Sequence, residues 1–328
     1  MISVGLDVGG TKVLGVAVDA SGTVLAEERR ATLDSGAALL DDLADLYQHL
    51  AAEASEHGGG TRPPVGVGVP GLVDAKGTLV FAPNLRGASG TDMRAGLVAR
   101  LGQDRAPVIQ VDNDATCAAA GESAFGAGSG RPDVLFVILG TGIGGGIVAG
   151  GRLLRGSGNL SGEIGHVVVD PQGPPCGCGR RGCWERYASG SGLGRIARDF
   201  ALAGRATRII SLAGGDADAV RGEHVMRALA DGDEQAAIIV EEFAWWLALG
   251  LANLANVLDP RVIVIGGGLV RAGEALLGPV RAAFLSQIEG ANVRSEIEIV
   301  PASLGDRSGA IGAAVIGFEA AGTSILST

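Results

Sequence analysis

Three of the chain's four cysteines lie within the ten residues CGCGRRGCWE, from 176 to 185. Cys176, Cys178 and Cys183 have the spacing C-x-C-x4-C, and the glycines between them permit the tight turns of a small chelating loop. His166, ten residues before the first of these cysteines, offers a fourth donor. Three thiolates and one imidazole make a closed tetrahedral zinc site without a position for a catalytic water, so the predicted zinc is structural.

Disulfides and free thiols are the alternatives to zinc. The opening MISVGLDVGG enters a strand pattern without a charged and then apolar leader, which predicts a cytoplasmic protein. A reducing compartment disfavours disulfides, and the distant Cys117, read as a small buried hydrophobe, leaves three clustered thiols that cannot form two local pairs. Three free thiols in a glycine loop remain the alternative.

Two glutamates flank the predicted metal ligands. Glu163 lies three residues before His166, and Glu185 lies two residues after Cys183. A bound metal would hold both carboxylates near one place, where they could accept hydrogen bonds from several hydroxyl groups, as sugar recognition requires. An ordinary surface glutamate is the alternative for either residue alone, but it is less favoured because both residues flank the same predicted metal site.

The first glycine-rich turn, DVGGTK, offers consecutive backbone N–H groups together with the Thr11 hydroxyl and the Lys12 ammonium group. Such a turn can form an anion-binding nest, and Asp7 at the end of the preceding strand could hold a magnesium-bound water. A plain glycine hairpin with a solvated lysine is the alternative. The turn is not a P-loop, because the pattern G-x-x-x-x-G-K-[ST] is absent.

Two further glycine turns follow strand patterns. The segment GTGIGG, 140–145, matches G-x-G-x-x-G, but a strand and a loop follow it instead of the helix that a nicotinamide-binding fold requires. The segment GGG, 266–268, follows an apolar strand, where backbone can approach a flat ligand such as adenine; a plain strand-to-helix connection is the alternative. The three turns together favour a nucleotide-binding cleft between two halves.

The elements around these turns indicate an α/β protein of two domains. The chain has 328 residues, of which 47% are hydrophobic, and opens as an antiparallel meander. Helical periodicity covers 37–56, and a strand, PVIQVDND, opens a small-residue helix. A second strand, turn and strand begin at Val134, and further helices cover 234–258 and 308–320. The last helix is expected to return to the first domain, since its small residues suit close packing.

Charge and hydropathy exclude two classes of partner. The 26 basic and 36 acidic residues give a net charge of −10, which disfavours nucleic acid and anionic lipid. The longest apolar run, 243–258, is short for a membrane span and contains two asparagines, so it predicts a buried core helix. We therefore expect neither nucleic acid nor membrane as a partner.

Seven motifs together resemble the ROK family of bacterial sugar kinases, and most of all its glucokinases: DVGGTK, VPG, PNL, VDNDA, GTGIGGG, GEIGH and CGCGRRGCWE. The resemblance implies an actin-like, hexokinase-like (ribonuclease H-like) α/β fold with two domains and an interdomain cleft. The implied small domain comprises 1–113 and 303–328, and the large domain, 114–302, contains the zinc loop. The implied reaction is ATP- and Mg²⁺-dependent phosphorylation of glucose at its 6-hydroxyl group, giving glucose 6-phosphate, in a homodimer or homotetramer.

The resemblance also assigns residue roles. Asp114 in VDND would be the general base, and His166 would bind zinc through one ring nitrogen and a sugar hydroxyl through the other. The implied sugar contacts are Gly71, Asn84, Asn113, Asp114, Glu163, His166 and Glu185. The implied ATP and phosphate contacts are Asp7, Gly9, Gly10, Thr11, Lys12, Gly140, Thr141, Gly142, Gly144, Gly145, Gly266, Gly267 and Gly268. The metal ligands would be His166, Cys176, Cys178 and Cys183.

The residues alone leave alternatives around Asp114. A carboxylate at the end of an apolar strand can accept a proton from an attacking hydroxyl group. Asp114 could instead cap a helix starting at Ala115, and Asp112 is a competing base. No arginine is an obvious candidate to stabilise the transferred phosphoryl group, because Arg155, Arg180 and Arg181 are expected nearer the metal loop than the phosphate turns.

Other functions also remain open. The substrate could be fructose, mannose, N-acetylglucosamine or N-acetylmannosamine, and polyphosphate could replace ATP. A non-catalytic sugar-sensing protein is the non-enzyme alternative, although it should lack the base and the phosphate turns. A DNA-binding repressor of the same family is disfavoured, because only six residues precede Asp7 and the net charge is acidic.

Overall fold

The computed structural model describes residues 1–58 and 62–326. The chain folds into two compact units. The first unit comprises Met1–Phe136, Gly146–Gly162 and Ala302–Thr328, and the second comprises Val137–Gly145 and Glu163–Pro301. The domain boundaries expected at 113/114 and 302/303 remain a prediction.

Groups of strands and groups of helices follow one another along the described residues. The strands are β1 (Ile2–Val8), β2 (Lys12–Asp19), β3 (Val24–Ala31), β4 (Val65–Val69), β5 (Leu72–Val73), β6 (Thr78–Phe81), β7 (Thr91–Asp92), β8 (Ile109–Asn113), β9 (Val134–Leu139), β10 (Ile143–Ala149), β11 (Arg152–Leu153), β12 (Val262–Gly266) and β13 (Glu298–Pro301). The α-helices are α1 (Gly36–Glu56), α2 (Met93–Leu101), α3 (Asp114–Phe125), α4 (Glu185–Ala188), α5 (Gly190–Leu202), α6 (Thr207–Leu212), α7 (Gly222–Ala230), α8 (Glu234–Leu258), α9 (Glu274–Gln287) and α10 (Ser308–Ala320).

The sheet of the first unit has the strand order β3-β2-β1-β4-β8. β1, β2 and β3 form the predicted antiparallel meander, whereas β4 and β8 run parallel to β1. Asp7 pairs with Gly68, and Gly68 pairs in turn with Asp112. Because parallel strands end at the same edge of a sheet, the carboxyl ends of β1, β4 and β8 bring their polar residues together there. β5, β6 and β7 form a small antiparallel sheet, and a second five-stranded sheet has the order β11-β10-β9-β12-β13.

Glycines let α10 lie directly on the first sheet and on α3. A Cβ atom on Gly66 of β4 would lie 1.8 Å from the carbonyl oxygen of Ala313, and one on Gly312 would lie 1.6 Å from that of Cys117. Neither approach is possible for a residue with a side chain. The small residues of α10 therefore allow close packing, as the sequence predicts.

A buried carboxylate fixes the start of α10. Glu122 of α3 is fully buried. Its Oε1 accepts hydrogen bonds from the Leu304 N–H at 2.9 Å and the Ser308 hydroxyl at 2.8 Å. Its Oε2 accepts from the N–H groups of Ala127 at 2.9 Å and Ser303 at 3.1 Å. The carboxylate thus joins the end of α3 to the segment that leads into α10.

We expect Glu122→Ala to lower the free energy of unfolding by on the order of 3 kcal/mol, because the substitution leaves several buried donors without an acceptor. Urea unfolding of both proteins measures the difference. Glu56→Ala, at an exposed position in α1, is the matched control and should change the value by less than about 0.5 kcal/mol. A Glu122→Ala protein as stable as this control would show that the network contributes little.

The second unit is built around α8. Among the described residues, α8 alone is long and apolar enough to cross a membrane by length and composition. In its most apolar stretch of 18 residues, 50% is buried inside the protein. Trp184, in the cysteine loop, is fully buried against this helix. A Cβ atom on Gly250 of α8 would lie 2.0 Å from the indole ring, so only glycine fits there. The helix thereby supports the loop that carries the cysteines.

Candidate active site and metal centre

The four predicted metal ligands lie together in the second unit. One donor atom from each of His166, Cys176, Cys178 and Cys183 lies within 4.8 Å of every other. The Sγ atoms of Cys178 and Cys183 are 3.5 Å apart, and His166 Nδ1 is 3.7 Å from Cys176 Sγ. A zinc tetrahedron with its usual bond lengths has edges of about 3.5 to 3.8 Å. The donor types and spacing therefore fit a closed zinc site.

Backbone pairing and glycine shape this loop. Val168 pairs with Cys183, and Pro175 pairs with Arg181. Gly182 has φ +65°, and a Cβ atom there would lie 1.5 Å from the carbonyl oxygen of Asp170. A residue with a side chain could not occupy this position without moving the loop. The glycine thus sets the geometry of Cys183.

Two aromatic residues after the last cysteine hold the loop in place, which the sequence did not predict. The Trp184 indole N–H donates to the carbonyl oxygen of Trp246 at 2.9 Å. Tyr187 lies against the Trp246 ring with a centroid distance of 4.1 Å and donates its hydroxyl to Asp170 Oδ2 at 2.6 Å. Burial, followed by the bond to Asp170, raises the pKa of Tyr187 to about 12. The cysteine loop thus contacts α8 through Trp246, and it is hydrogen-bonded to the segment before Cys176 through Asp170.

The structure brings the two predicted sugar-binding glutamates to the metal ligands. Glu185 Oε1 is 3.0 Å from Cys176 Sγ and 3.7 Å from His166 Nδ1. Glu163 Oε2 is 3.9 Å from His166 Nε2. Burial raises the pKa of the Glu163 carboxyl group, His166 lowers it and Glu185 raises it further. The two ring nitrogens of His166 therefore face different groups, Nδ1 the cysteines and Nε2 a carboxylate.

The thiols differ in their protonation. Burial raises the pKa of Cys176 to about 12, and a hydrogen bond to Glu185 contributes to the rise. Burial also acts to raise the pKa of Cys178, but hydrogen bonds from Arg180 outweigh it and bring the value to about 6. A thiol with a lowered pKa is a ready metal ligand because the thiolate is the ligating form.

The two predicted nucleotide turns of the second unit lie side by side. A Cβ atom on Gly267, which has φ +97°, would lie 2.2 Å from the carbonyl oxygen of Leu139, the residue before the GTGIGG turn. A Cβ atom on Gly142 would lie 2.6 Å from Glu185 Oε2. β10 follows the GTGIGG turn, as predicted, so this turn does not open a helix. The GTGIGG turn therefore lies beside both the 266–268 turn and the glutamate.

The first unit contains the other predicted sugar contacts, among them Asn113 and Asp114. Asn113 caps α3, with its Oδ1 accepting from the N–H groups of Ala115 at 2.9 Å and Thr116 at 3.1 Å. The alternative that Asp114 is the cap is therefore wrong, because α3 begins at Asp114 itself. Asp114 Oδ1 accepts from the Ala115 N–H at 2.8 Å. Its carboxylate thus lies in the first turn, where the helix dipole stabilises negative charge.

Asn113 also joins a second predicted sugar contact. Its Nδ2 donates to the carbonyl oxygen of Gly71 at 3.0 Å. Gly71 has φ +127°, and a Cβ atom there would lie 2.2 Å from the carbonyl oxygen of Phe81. Only glycine permits this loop conformation. The structure therefore places Gly71, Asn113 and Asp114 in one group.

Asp112, the alternative base, is already paired with other side chains. Its side chain is 2% exposed, and its Oδ2 accepts from Arg155 Nε at 2.7 Å. Its Oδ1 accepts from Asn159 Nδ2 at 3.2 Å. The loop that carries Arg155 folds back onto β8 within the first unit. The expectation that Arg155 lies nearer the metal loop than the phosphate turns stays a prediction.

The DVGGTK turn adjoins the PNL loop. The Gly9 N–H donates to the carbonyl oxygen of Lys12 at 2.9 Å, and the Thr32 hydroxyl donates to that of Gly9 at 2.8 Å. Gly10, Thr11 and Lys12 are exposed. A cleft of about 380 Å³ is lined by both Gly10 and Asn84. The predicted phosphate turn and one predicted sugar contact therefore share a cleft.

Asp7 lies at the end of β1 with a perturbed carboxyl group. Burial raises its pKa from 3.8 to about 7, Asp114 adds to the rise, and Lys12 opposes it. A Cβ atom on Gly309 of α10 would lie 2.5 Å from its Oδ2. The glycine makes room for the carboxylate.

This pKa predicts a pH-dependent stability. Between about pH 4 and 7, folded Asp7 holds a proton that the unfolded chain has released, so its contribution to stability is lost as the pH rises through 7. Asp7→Asn should therefore be more stable than the wild type by on the order of 2 kcal/mol at pH 8 and about equal to it at pH 4. Urea unfolding at both values tests this, with Asp218→Asn, at an exposed position, as the control. A difference that does not change with pH would contradict the raised pKa.

Comparison with known proteins identifies the family. The ROK family model matches residues 3–319. The chain belongs to the ROK family. It is 36% identical over 321 residues to a glucokinase of Streptomyces coelicolor, covering 97% of this chain and 98% of the relative. It is 34% identical over 315 residues to a glucokinase of Thermotoga maritima, covering 95% and 96%.

A solved structure also matches this ROK protein. The ROK family glucokinase from Streptomyces griseus, determined in complex with glucose and AMPPNP, superposes with a TM-score of 0.79 at 37% identity. The match covers 96% of this chain and 99% of that structure. The predicted α/β fold class of the hexokinase-like and actin-like type is confirmed.

Proposed function

We propose that this ROK protein is an ATP-dependent glucokinase that transfers the γ-phosphoryl group of ATP to the 6-hydroxyl group of glucose, giving glucose 6-phosphate. The observation that carries the proposal is the grouping of Asp114 with Asn113 and Gly71 at the sheet edge where Asp7 ends β1. The glucokinase relatives over nearly the whole chain, one of them determined with glucose and an ATP analogue, support glucose and ATP as the substrates.

Asp114 acts as the general base in this proposal. Its carboxylate accepts the proton of the 6-hydroxyl group as the oxygen attacks the γ-phosphorus, and the bond to the β,γ-bridging oxygen breaks. The Asn113 cap fixes the first turn of α3, so that the Asp114 carboxylate has a defined position. Asp112 is unsuited to the role because its carboxylate already accepts from Arg155 and Asn159.

Sugar and nucleotide contacts follow from the same groups. We assign sugar hydroxyl recognition to Gly71, Asn84, Asn113, Asp114, Glu163, His166 and Glu185. Carboxylate and amide oxygens accept hydrogen bonds from hydroxyl groups, and the Asn and His nitrogens donate them. We assign phosphate contacts to the 9–12 and 140–145 turns, whose backbone N–H groups suit anions, and adenine contacts to 266–268.

Two metal ions complete the proposal. Magnesium bound to ATP would neutralise phosphate charge, and Asp7 at the end of β1 is the carboxylate placed to hold one of its waters. Zinc held by His166 and the three cysteines would be structural, because the four donors close its coordination shell. We also propose a cytoplasmic location and a homodimer or homotetramer.

An ADP-release assay over a panel of sugars tests the function. We expect glucose to give the highest kcat/KM. The preference for ATP over polyphosphate is measured as sugar phosphate formed, because transfer from polyphosphate leaves a shortened polyphosphate and no ADP. The panel should contain fructose, mannose, N-acetylglucosamine and N-acetylmannosamine, and a reaction without sugar serves as the control. A higher kcat/KM for one of these sugars would move the assignment to that hexose. If no sugar stimulates ADP release, the protein is a sugar sensor without kinase activity.

A further inference from the structure

Three carboxylates converge at the edge of the first sheet. Burial raises the pKa of the Cys117 thiol, and the negative charges of Asp112, Asp7 and Asp114 raise it further, whereas Arg155 lowers it. All four charged groups therefore lie close enough to the same sulfur atom to act on it. Lys12, the first residue of β2, lowers the pKa of Asp7. Arg155 is the cation that faces Asp112.

Arg155 is held by two carboxylates from different elements. Its Nε donates to Asp112 Oδ2 at 2.7 Å, and its Nη2 lies 3.5 Å from Glu319 Oε2 on α10. The Arg155 side chain is 28% exposed and that of Asp112 is 2% exposed. Burial acts to lower the pKa of Arg155, but Asp112 outweighs it and the pKa is raised. The guanidinium group is therefore a permanent charge in this network.

The same network fixes the backbone before the proposed base. Asp112 Oδ1 accepts from the Asn113 N–H at 2.9 Å and from Asn159 Nδ2 at 3.2 Å. Asn159 Nδ2 also donates to the carbonyl oxygen of Val73 at 3.2 Å. Asn159 has φ +62°, an uncommon conformation for a residue other than glycine. The 155–159 loop is thus shaped to reach Asp112 with two side chains.

We propose that Arg155 is a positioning residue for phosphoryl transfer: its ion pair with Asp112 compensates a buried negative charge two residues from Asp114 and holds the backbone from which Asn113 and Asp114 extend. The inference rests on the proposed role of Asp114 as base. Without Arg155, the uncompensated charge of an ionised Asp112 would oppose the ionisation of Asp114 and Asp7, because neighbouring carboxylates do not readily ionise together. Asp114 must be ionised to accept a proton, so compensation keeps the base in its active form.

The charged and titratable groups of this network belong to several elements. Asp114 and Lys12 of β2 both act on Asp7 of β1. Asp112 of β8, Asp7, Asp114 and Arg155 of the 154–162 loop act on Cys117 of α3, and Arg155 pairs with Asp112 and with Glu319 of α10. A pH profile of kcat/KM reports the ionisation of the base in the free enzyme. Charge compensation therefore predicts the direction in which the apparent pKa of the base changes when a charge is removed. A purely structural role of Arg155 predicts no such change.

The experiment compares Arg155→Gln, Asp112→Asn and the double variant with the wild type, measuring glucose kcat/KM from pH 5 to 9. We expect the apparent pKa of the acidic limb to rise by about one unit in Arg155→Gln and to fall by a similar amount in Asp112→Asn. In the double variant the two lost charges cancel, so its limb should return to the wild-type position. Arg152→Gln, at an exposed position on β11, is the matched control and should leave the limb unchanged.

The inference would be overturned if the apparent pKa of the acidic limb were the same in the wild type, both single variants and the double variant. It would also be overturned if the double variant kept the apparent pKa of Arg155→Gln. If Arg155→Gln does not fold, the downward shift in Asp112→Asn and its reversal in the double variant carry the test. Asp114→Asn separates the two proposals. If Asp114→Asn is inactive while the Arg155 and Asp112 variants keep the wild-type apparent pKa, only the role of Arg155 is contradicted. If Asp114→Asn turns over normally, Asp114 is not the base and this inference is contradicted with it.

Discussion

Replacing Asp114 by Asn is expected to lower kcat for glucose by about 10³-fold, with KM for glucose changed by less than about threefold. The amide has the shape of the carboxylate and can still accept a hydrogen bond from a sugar hydroxyl, but it cannot take the proton. The helix should be unaffected, because Asn113 and not Asp114 caps α3. Steady-state kinetics measures kcat and KM for glucose, and far-UV circular dichroism checks that the helix content is unchanged.

The matched control is Asp233→Asn, the same substitution at the N-cap of α8 in the second unit. Asparagine caps helices as well as aspartate does, so this variant should keep wild-type kcat and stability. Near-normal turnover of Asp114→Asn would refute the base assignment. A loss of the same size in Asp112→Asn, with Asp114→Asn active, would make Asp112 the base in spite of its ion pair.

Most long elements could be predicted because their patterns are local. The apolar spacing of α1 and the small-residue run of α10 each mark one helix, and the structure has them at Gly36–Glu56 and Ser308–Ala320. β5, β6 and β7 have two to four residues each, which is too short for an alternating pattern to be visible. Such strands form only where the loops around them are already held.

One missed helix did carry a signal. α5 has its buried residues Leu193, Ile196 and Ala197 at helical spacing, and Ser189 caps it by accepting from the Gly192 N–H. The glycines at its start obscure this pattern, because glycine is a poor helix former. The packing of α5 within the second unit outweighs that propensity.

The metal ligands could be predicted from the sequence because a chelating loop is local, whereas the partner of Asp112 could not. The motif VDND contains two aspartates, and nothing in the motif itself distinguishes the base from the buried partner of an arginine. Arg155 lies 43 residues further along the chain, and nothing in its own sequence surroundings points to Asp112. Only the fold shows that the 154–162 loop returns to β8.

The support of the cysteine loop was equally invisible in the sequence. Trp184 needs Gly250, 66 residues away, because any side chain there would overlap the indole ring. Neither residue has a pattern that points to the other. Long-range steric fit of this kind is a property of the packed structure and leaves no local trace.

Zinc is expected to set the position of the sugar-binding carboxylate, so removing one ligand should raise KM for glucose. As a thiol, Cys176 donates to Glu185 Oε1 at 3.0 Å; a zinc-bound thiolate has no proton to donate and leaves that oxygen for a sugar hydroxyl. We therefore expect Cys178→Ala to lose its zinc, to raise KM for glucose at least about 10-fold and to unfold at a lower temperature. Elemental analysis should give about one zinc per wild-type chain.

The control for this variant is Arg181→Ala, an exposed position in the same loop that offers no metal ligand. It should keep its zinc and its KM for glucose, because Trp184 and the four donors remain in place. A Cys178→Ala protein that stays folded with an unchanged KM would show that the loop stabilises the fold without positioning Glu185. A wild-type protein that is folded and fully active without zinc would refute the metal site itself.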